Sequence, residues 1–286
     1  MKKILYIMVL TVTLLACAKE ELNPDAILLG MGGDTWERTE LDDWLHHEFV
    51  VPYNMEVKYK WDPYEFDLGH NFVPVDEPQV KILMTAIKKI WIEPYIEKAG
   101  ETFIKRFAPK RYVLVGSFQY NGGTITRGFA EGGNKIAILG VNTLDLNDKS
   151  IVRRVLRTVE HEFGHTLHQT VLYPTEWQTI CRESYTGSWS SAPSSEFGPA
   201  GFVSEYARAN PDEDFVETIA YILMYGREWF EDYMVSVGTD GAAKLRAKEN
   251  IIVAYFKTIW GIDFYETYDG AGDGLVELTQ AAIDRL

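Results

Sequence analysis

Residues 148–172 read DKSIVRRVLRTVEHEFGHTLHQTVL. Ile151, Val152, Val155, Leu156, Val159, Phe163 and Leu167 recur at 3.6-residue spacing, the mark of a helix with one apolar face. Asn147-Asp148 ahead of them suits a helix start. On this helix His161 and His165 stand four residues apart, one turn above the other on a shared face, so both imidazoles can hold one zinc ion. Glu162 falls on the neighbouring flank, close to such a metal without ligating it, where a general base for an activated water belongs. The apolar stripe turns Val155, Val159 and Phe163 towards a core and leaves the two histidines on another face. Three of the six histidines lie between 161 and 168, a concentration that an incidental pair does not explain.

His168 shares that face at i+3 from His165. On a straight helix it lies about 10 Å along the axis from His161, and the glycine turn that brings round a third histidine in astacin-type sites is absent. His168 is therefore expected to support or line the site, with a third-ligand role as the alternative. A zinc site needs a further protein ligand. The segment Asn210-Pro211-Asp212-Glu213-Asp214-Phe215-Val216-Glu217 opens a helix with two glutamates one turn apart, Glu213 and Glu217, on one face. Alone, these would read as acids favoured by the helix macrodipole.

Working outward, 286 residues with 46% hydrophobic and 24% charged side chains suffice for one large core or two modest ones and exclude disorder, collagen and coiled coil. Lys plus Arg number 28 against 42 Asp plus Glu, a net charge of -14 that repels polyanions and argues against a nucleic-acid partner. The 16 Tyr and 8 Trp exceed what a core requires and suit an extended groove. The only cysteines are Cys17 and Cys181, so no disulfide framework is available. Residues 1–17, MKKILYIMVLTVTLLAC, give a basic start at Lys2-Lys3 and an apolar run too short to span a bilayer, which is the pattern of a signal peptide over 1–16. Leu14-Leu15-Ala16-Cys17 resembles the lipobox of bacterial lipoproteins, which implies acylation of Cys17 and membrane attachment through the lipid alone. Ala18-Lys19-Glu20-Glu21 resembles the lysine-plus-acid signal of surface-exported lipoproteins; a solvated linker is the alternative, and with it the periplasmic face.

Residues 17–37 read as a lipidated start and tether, and 38–286 as one folded domain. A helix is expected from Leu41, a strand over Met55–Trp61, and a longer helix from Pro78 to near Gly100, with a break at Pro109. Tyr112–Tyr120, Thr124–Ala130 and Lys135–Val141 read as three strands of an antiparallel meander turned by Asn121-Gly122-Gly123 and Gly132-Gly133-Asn134. Residues 174–211 have no period, and a loop that long is usually functional. Helical patterns return over Asp212–Tyr225, Glu228–Val235, Ala242–Ile259 and Leu275–Leu286. Asp269–Gly274 has part of a calcium-loop pattern without its closing glutamate and reads as a turn. Cys181 has no activating surroundings beyond Arg182. His46, His47 and His70 lack ligand spacing, and there is no phosphate loop or serine elbow.

The segments Tyr206-Ala207-Arg208-Ala209-Asn210 and Glu213-Asp214-Phe215-Val216-Glu217 resemble the corresponding part of anthrax lethal factor and its glutamate-zincin relatives, though Val216 stands where relatives often carry alanine. The resemblance implies that Glu213 ligates zinc, that Glu217 is the carboxylate behind a histidine, with a ligand role as its alternative, and that Tyr206 steadies an oxyanion, with His168 as a second candidate for that task. More broadly, the lipobox, Pro52-Tyr53-Asn54, His161–Gln169 and Asn210–Glu217 resemble the substrate-import-associated zinc metallohydrolase lipoproteins. That implies an outer-membrane lipoprotein near a nutrient-uptake receptor, acting on external proteins or glycoproteins.

The expected fold is α+β. It comprises a zincin-like metalloprotease domain with a small antiparallel sheet, an active-site helix over 148–172 flooring a cleft edged by Lys135–Val141, and a mainly helical C-terminal part. The expected function is that of a zinc metalloendopeptidase-like hydrolase. Its rival is a non-catalytic surface lipoprotein that binds nutrient polymers and uses zinc as a structural staple.

Overall fold

The chain is described through a computed structural model that covers residues 37–62, 65, 69–121, 124–126, 128–131, 135–191, 193–266 and 272–286. The signal segment 1–16, Cys17 and the tether through residue 36 lie outside the described residues, as do parts of the glycine turns near 122 and 133 and of the loop at 269–274. Thr39–Leu286 forms one compact unit, which carries the candidate site. No helix among the described residues is long and apolar enough to cross a membrane.

The first helix, α1, runs without a break through Glu40–Leu45, a π-helical turn His46–Val50 and Val51–Tyr53. Thr39 caps it: its hydroxyl accepts from the Asp42 N–H, and the Asp42 carboxylate accepts the Thr39 N–H at 2.8 Å. Strand β1 is Glu56–Lys58. Helix α2 comprises Glu77–Ile87, a π-helical turn Lys88–Ile92 and Glu93–Ala99. It stops at Gly100, whose φ of 78° a side chain would strain. A short helix that periodicity did not announce, α3 (Glu101–Phe107), leads into β2 (Arg111–Leu114).

The expected meander is corrected here. Its three segments are five strands, β2, β3 (Gln119–Asn121), β4 (Thr124–Thr126), β5 (Gly128–Glu131) and β6 (Lys135–Ile138). β3 and β4 form a separate antiparallel hairpin. The main sheet has the order β1-β2-β6-β5 and is mixed: β1 with β2 and β2 with β6 are parallel, and only β5 with β6 is antiparallel. Parallel pairing needs a long crossover, supplied by α2 and α3 between β1 and β2 and by the hairpin and β5 between β2 and β6. The cleft-edge assignment changes too. Of Lys135–Val141 only Lys135–Ile138 is strand, and it lies inside the sheet, with Ile136, Ala137 and Ile138 essentially buried; the edge on that side is β5.

Helix α4 is Lys149–Thr170, started by Asp148, whose carboxylate accepts the Ser150 N–H at 2.9 Å. β5 lies close against it: a Cβ at Gly128 would meet Thr158 Cγ2 at 2.4 Å, so glycine is what permits the approach. After a short helix α5 (Trp177–Ile180) and several 3-10 turns comes α6, Pro211–Ser236, broken at Gly226 (φ 87°). The carbonyls freed at the break are capped from neighbours: Leu223 O accepts from Gln280 Nε2 at 2.6 Å and Met224 O from Arg153 Nε at 2.9 Å. Helix α7 runs through Gly238–Tyr255 and Phe256–Trp260, and α8 is Leu275–Asp284. The fold is α+β with a mainly helical C-terminal half. Its core closes on Phe163, whose ring meets Trp91 and Tyr95 edge-on, each at 5.1 Å.

Candidate metal centre

Phe163 points into the core, so its neighbours on α4 are held on a fixed surface of the helix. His161 and His165 emerge one turn apart with their Nε2 atoms separated by 3.2 Å. Glu213 reaches them from the first turn of α6. That turn is set by Asn210, whose side-chain oxygen accepts the N–H groups of Asp212 (2.9 Å) and Glu213 (3.0 Å), and by Pro211 at the first helical position. Glu213 Oε2 lies 3.1 Å from His161 Nε2 and 3.3 Å from His165 Nε2.

These three ligand atoms fall within 4.8 Å of one another. Glu213 Oε2 is buried and makes no well-aligned hydrogen bond. Burial opposes ionisation of Glu213, yet the two imidazoles hold its carboxyl well below the ordinary range. Two imidazole nitrogens and an ionised carboxylate oxygen aimed at one point fit a zinc ion.

Each histidine is braced at its other nitrogen. His161 Nδ1 lies 2.9 Å from Glu217 Oε1, and Glu217 Oε2 accepts from Ser204 Oγ at 2.6 Å. Ser204 Oγ accepts in turn from the Ala207 N–H at 3.1 Å. Burial disfavours the His161 cation, but the adjacent carboxylates of Glu213 and Glu217 prevail and push its pKa up to about 10. His165 Nδ1 lies 2.9 Å from His168 Nε2. His168 is thus behind His165 rather than among the converging atoms, buried against Tyr173 and Phe215. Burial, then the neighbouring His165, lowers its pKa.

Glu162 is nearly buried, and desolvation raises its pKa despite the opposing pull of both histidines. Tyr206, 36% exposed, stacks on His161 at 5.8 Å between centroids. Burial first, then the charge of Glu213, raises the pKa of its hydroxyl and keeps it protonated.

A buried ion pair holds the surrounding segment. Lys248 Nζ on α7 donates to Asp214 Oδ1 at 2.7 Å and to Gly201 O at 2.6 Å, and Tyr185 donates to Asp214 Oδ2 at 2.8 Å. Both members of the pair are fully buried. The structure therefore brings together His161, Glu162, His165, His168, Tyr206, Glu213 and Glu217, while Cys17 lies outside the described residues. Sequence reading missed Ser204 and Lys248: one sits in an aperiodic loop and the other in a helix, where lysine is ordinary. Cys181 is a buried free thiol.

Comparison with known proteins likewise points to zinc. A family model described as "Putative zinc-binding metallo-peptidase" matches residues 34–265. A crystal structure of a protein from Bacteroides caccae described in the same words is similar, at 30% identity and a TM-score of 0.69, covering 87% of this chain and 94% of that one. Curated proteins gave no match.

Proposed function

The chain belongs to the zinc-binding metallopeptidase family matched over residues 34–265, and from that footing we propose that it is a zinc metalloendopeptidase-like hydrolase with a zincin-like site. The observation that carries this reading is the arrival of Glu213, from a separate helix, within 3.1 to 3.3 Å of both imidazole Nε2 atoms. His161, His165 and Glu213 would hold the metal. When bound, zinc polarises a scissile carbonyl and acidifies water.

The remaining work belongs to side chains. Glu162, kept basic by its nearly dry position, takes the proton of the attacking water and returns it to the leaving amine. Tyr206 retains its hydroxyl proton and donates it as a hydrogen bond to the developing oxyanion, a contribution whose loss costs about 2.7 to 4 kcal/mol in comparable sites. Glu217 with Ser204 orients His161, and His168 orients His165. An extended peptide would add beside the edge strand β5.

The substrate is an external protein or glycoprotein, and the chain is a lipoprotein acylated at Cys17 and facing outward at the outer membrane beside a nutrient-uptake receptor. The basic start, apolar run and lipobox of residues 1–17 support the anchor. Serine at position 17 should release the protein from membranes. Incubating the zinc-loaded protein with a mixed peptide library and sequencing the products by mass spectrometry tests the activity. Cleavage that disappears in Glu162→Gln with zinc still bound is expected. Unchanged cleavage in that variant refutes the role of Glu162, and glycan binding without any cleavage favours the non-catalytic rival.

A further inference from the structure

Tyr206 begins a 3-10 turn, Tyr206–Arg208, at the end of the irregular connection between α5 and α6. The backbone there is fixed: Thr186 N donates to Arg208 O at 2.8 Å and Ala207 N to Ser204 Oγ. The ring itself is more than a third exposed, so backbone restraint alone does not choose its rotamer. Two rings do. His161 stacks on it with planes 27° apart, and Trp189 meets it edge-to-face with centroids 4.9 Å apart. Trp189 belongs to another 3-10 turn, Trp189–Ser191, which packs on the first. The indole is half-buried.

We propose that Trp189 is a positioning residue for Tyr206, holding the phenol stacked over His161. The inference rests on the functional reading above for its kinetic consequence and on ring geometry alone for its structural one. An aromatic pair of this kind biases a side-chain population by about 3- to 10-fold. Trp189→Ala should therefore lower kcat about 3- to 10-fold with KM and bound zinc unchanged, because the oxyanion contact is made in the transition state. Trp189→Phe should restore most of the loss. In a Tyr206→Phe background, Trp189→Ala should have no further effect.

Crystal structures of the two Trp189 variants give a readout independent of turnover: the Tyr206 ring leaves His161 in the alanine variant and stays in the phenylalanine variant. A Tyr206 ring unmoved by Trp189→Ala, or losses that multiply in the double variant, overturn the proposal. If the ring moves while the wild type cleaves no peptide, the positioning role stands and the peptidase reading falls.

Discussion

Glu217 never touches the converging point, yet its carboxylate meets His161 Nδ1 at hydrogen-bond distance, 2.9 Å. Glu217→Ala should weaken zinc binding about 10- to 100-fold, read by competition with a chromogenic chelator. Glu217→Gln should fall between the two, since its amide oxygen can still accept from Nδ1–H; equal affinity in all three proteins would contradict the bracing role. At this scale legibility follows spacing. His161, Glu162 and His165 are readable because a helix turns residues four apart onto one face. Glu213 lies 48 positions after His165, and no period links two separate helices, so its assignment needed a family resemblance. Ser204 and Trp189 sit in a connection without periodicity, where neither helix nor strand rules constrain a side chain's direction.

The two helices that supply the ligands meet where Gly164 faces Val216. A Cβ at 164 would lie 3.0 Å from Val216 Cγ1 and 3.1 Å from its Cβ, so the crossing has no spare room. Gly164→Ala should force α4 and α6 apart by a few tenths of an ångström, costing about 1–3 kcal/mol in urea unfolding as overpacked interiors do, and weakening zinc binding. Adding Val216→Ala removes the nearest methyl and leaves the Cβ contact, so it should recover part of both. A double variant no better than the single one would show that this contact does not set the spacing. Helix bounds were legible because caps and breakers stand in the chain: Asp148, Asn210, Gly100 and Gly226 each sit where an element starts, ends or breaks. Sheet pairing was not, since strands of three or four residues are too short for alternation to reveal direction, and glycine turns favoured a meander over the parallel crossover that the hairpin and β5 make between β2 and β6. The seven-residue α3 escaped notice for the same reason of length.

Across the whole molecule, the irregular connection, α6 and α7 are pinned by one buried pair, Lys248 with Asp214. Lys248→Met leaves a carboxylate buried without its cation and should cost about 3–5 kcal/mol, measured by urea unfolding. Replacing Asp214 by leucine as well should recover much of that, because an apolar pair needs no charge compensation; no recovery would locate the cost in packing instead. The α+β class and the helical C-terminal half follow from residue pattern, whereas the site requires the tertiary meeting of α4 with α6. The central claim is that His161, His165 and Glu213 together grip one zinc and leave a position to solvent. X-ray absorption at the zinc edge of the loaded protein measures this directly. The account predicts two imidazoles, one carboxylate oxygen and one solvent oxygen, with the carboxylate lost in Glu213→Ala. A shell closed by four protein ligands, or one unchanged by that substitution, would contradict it.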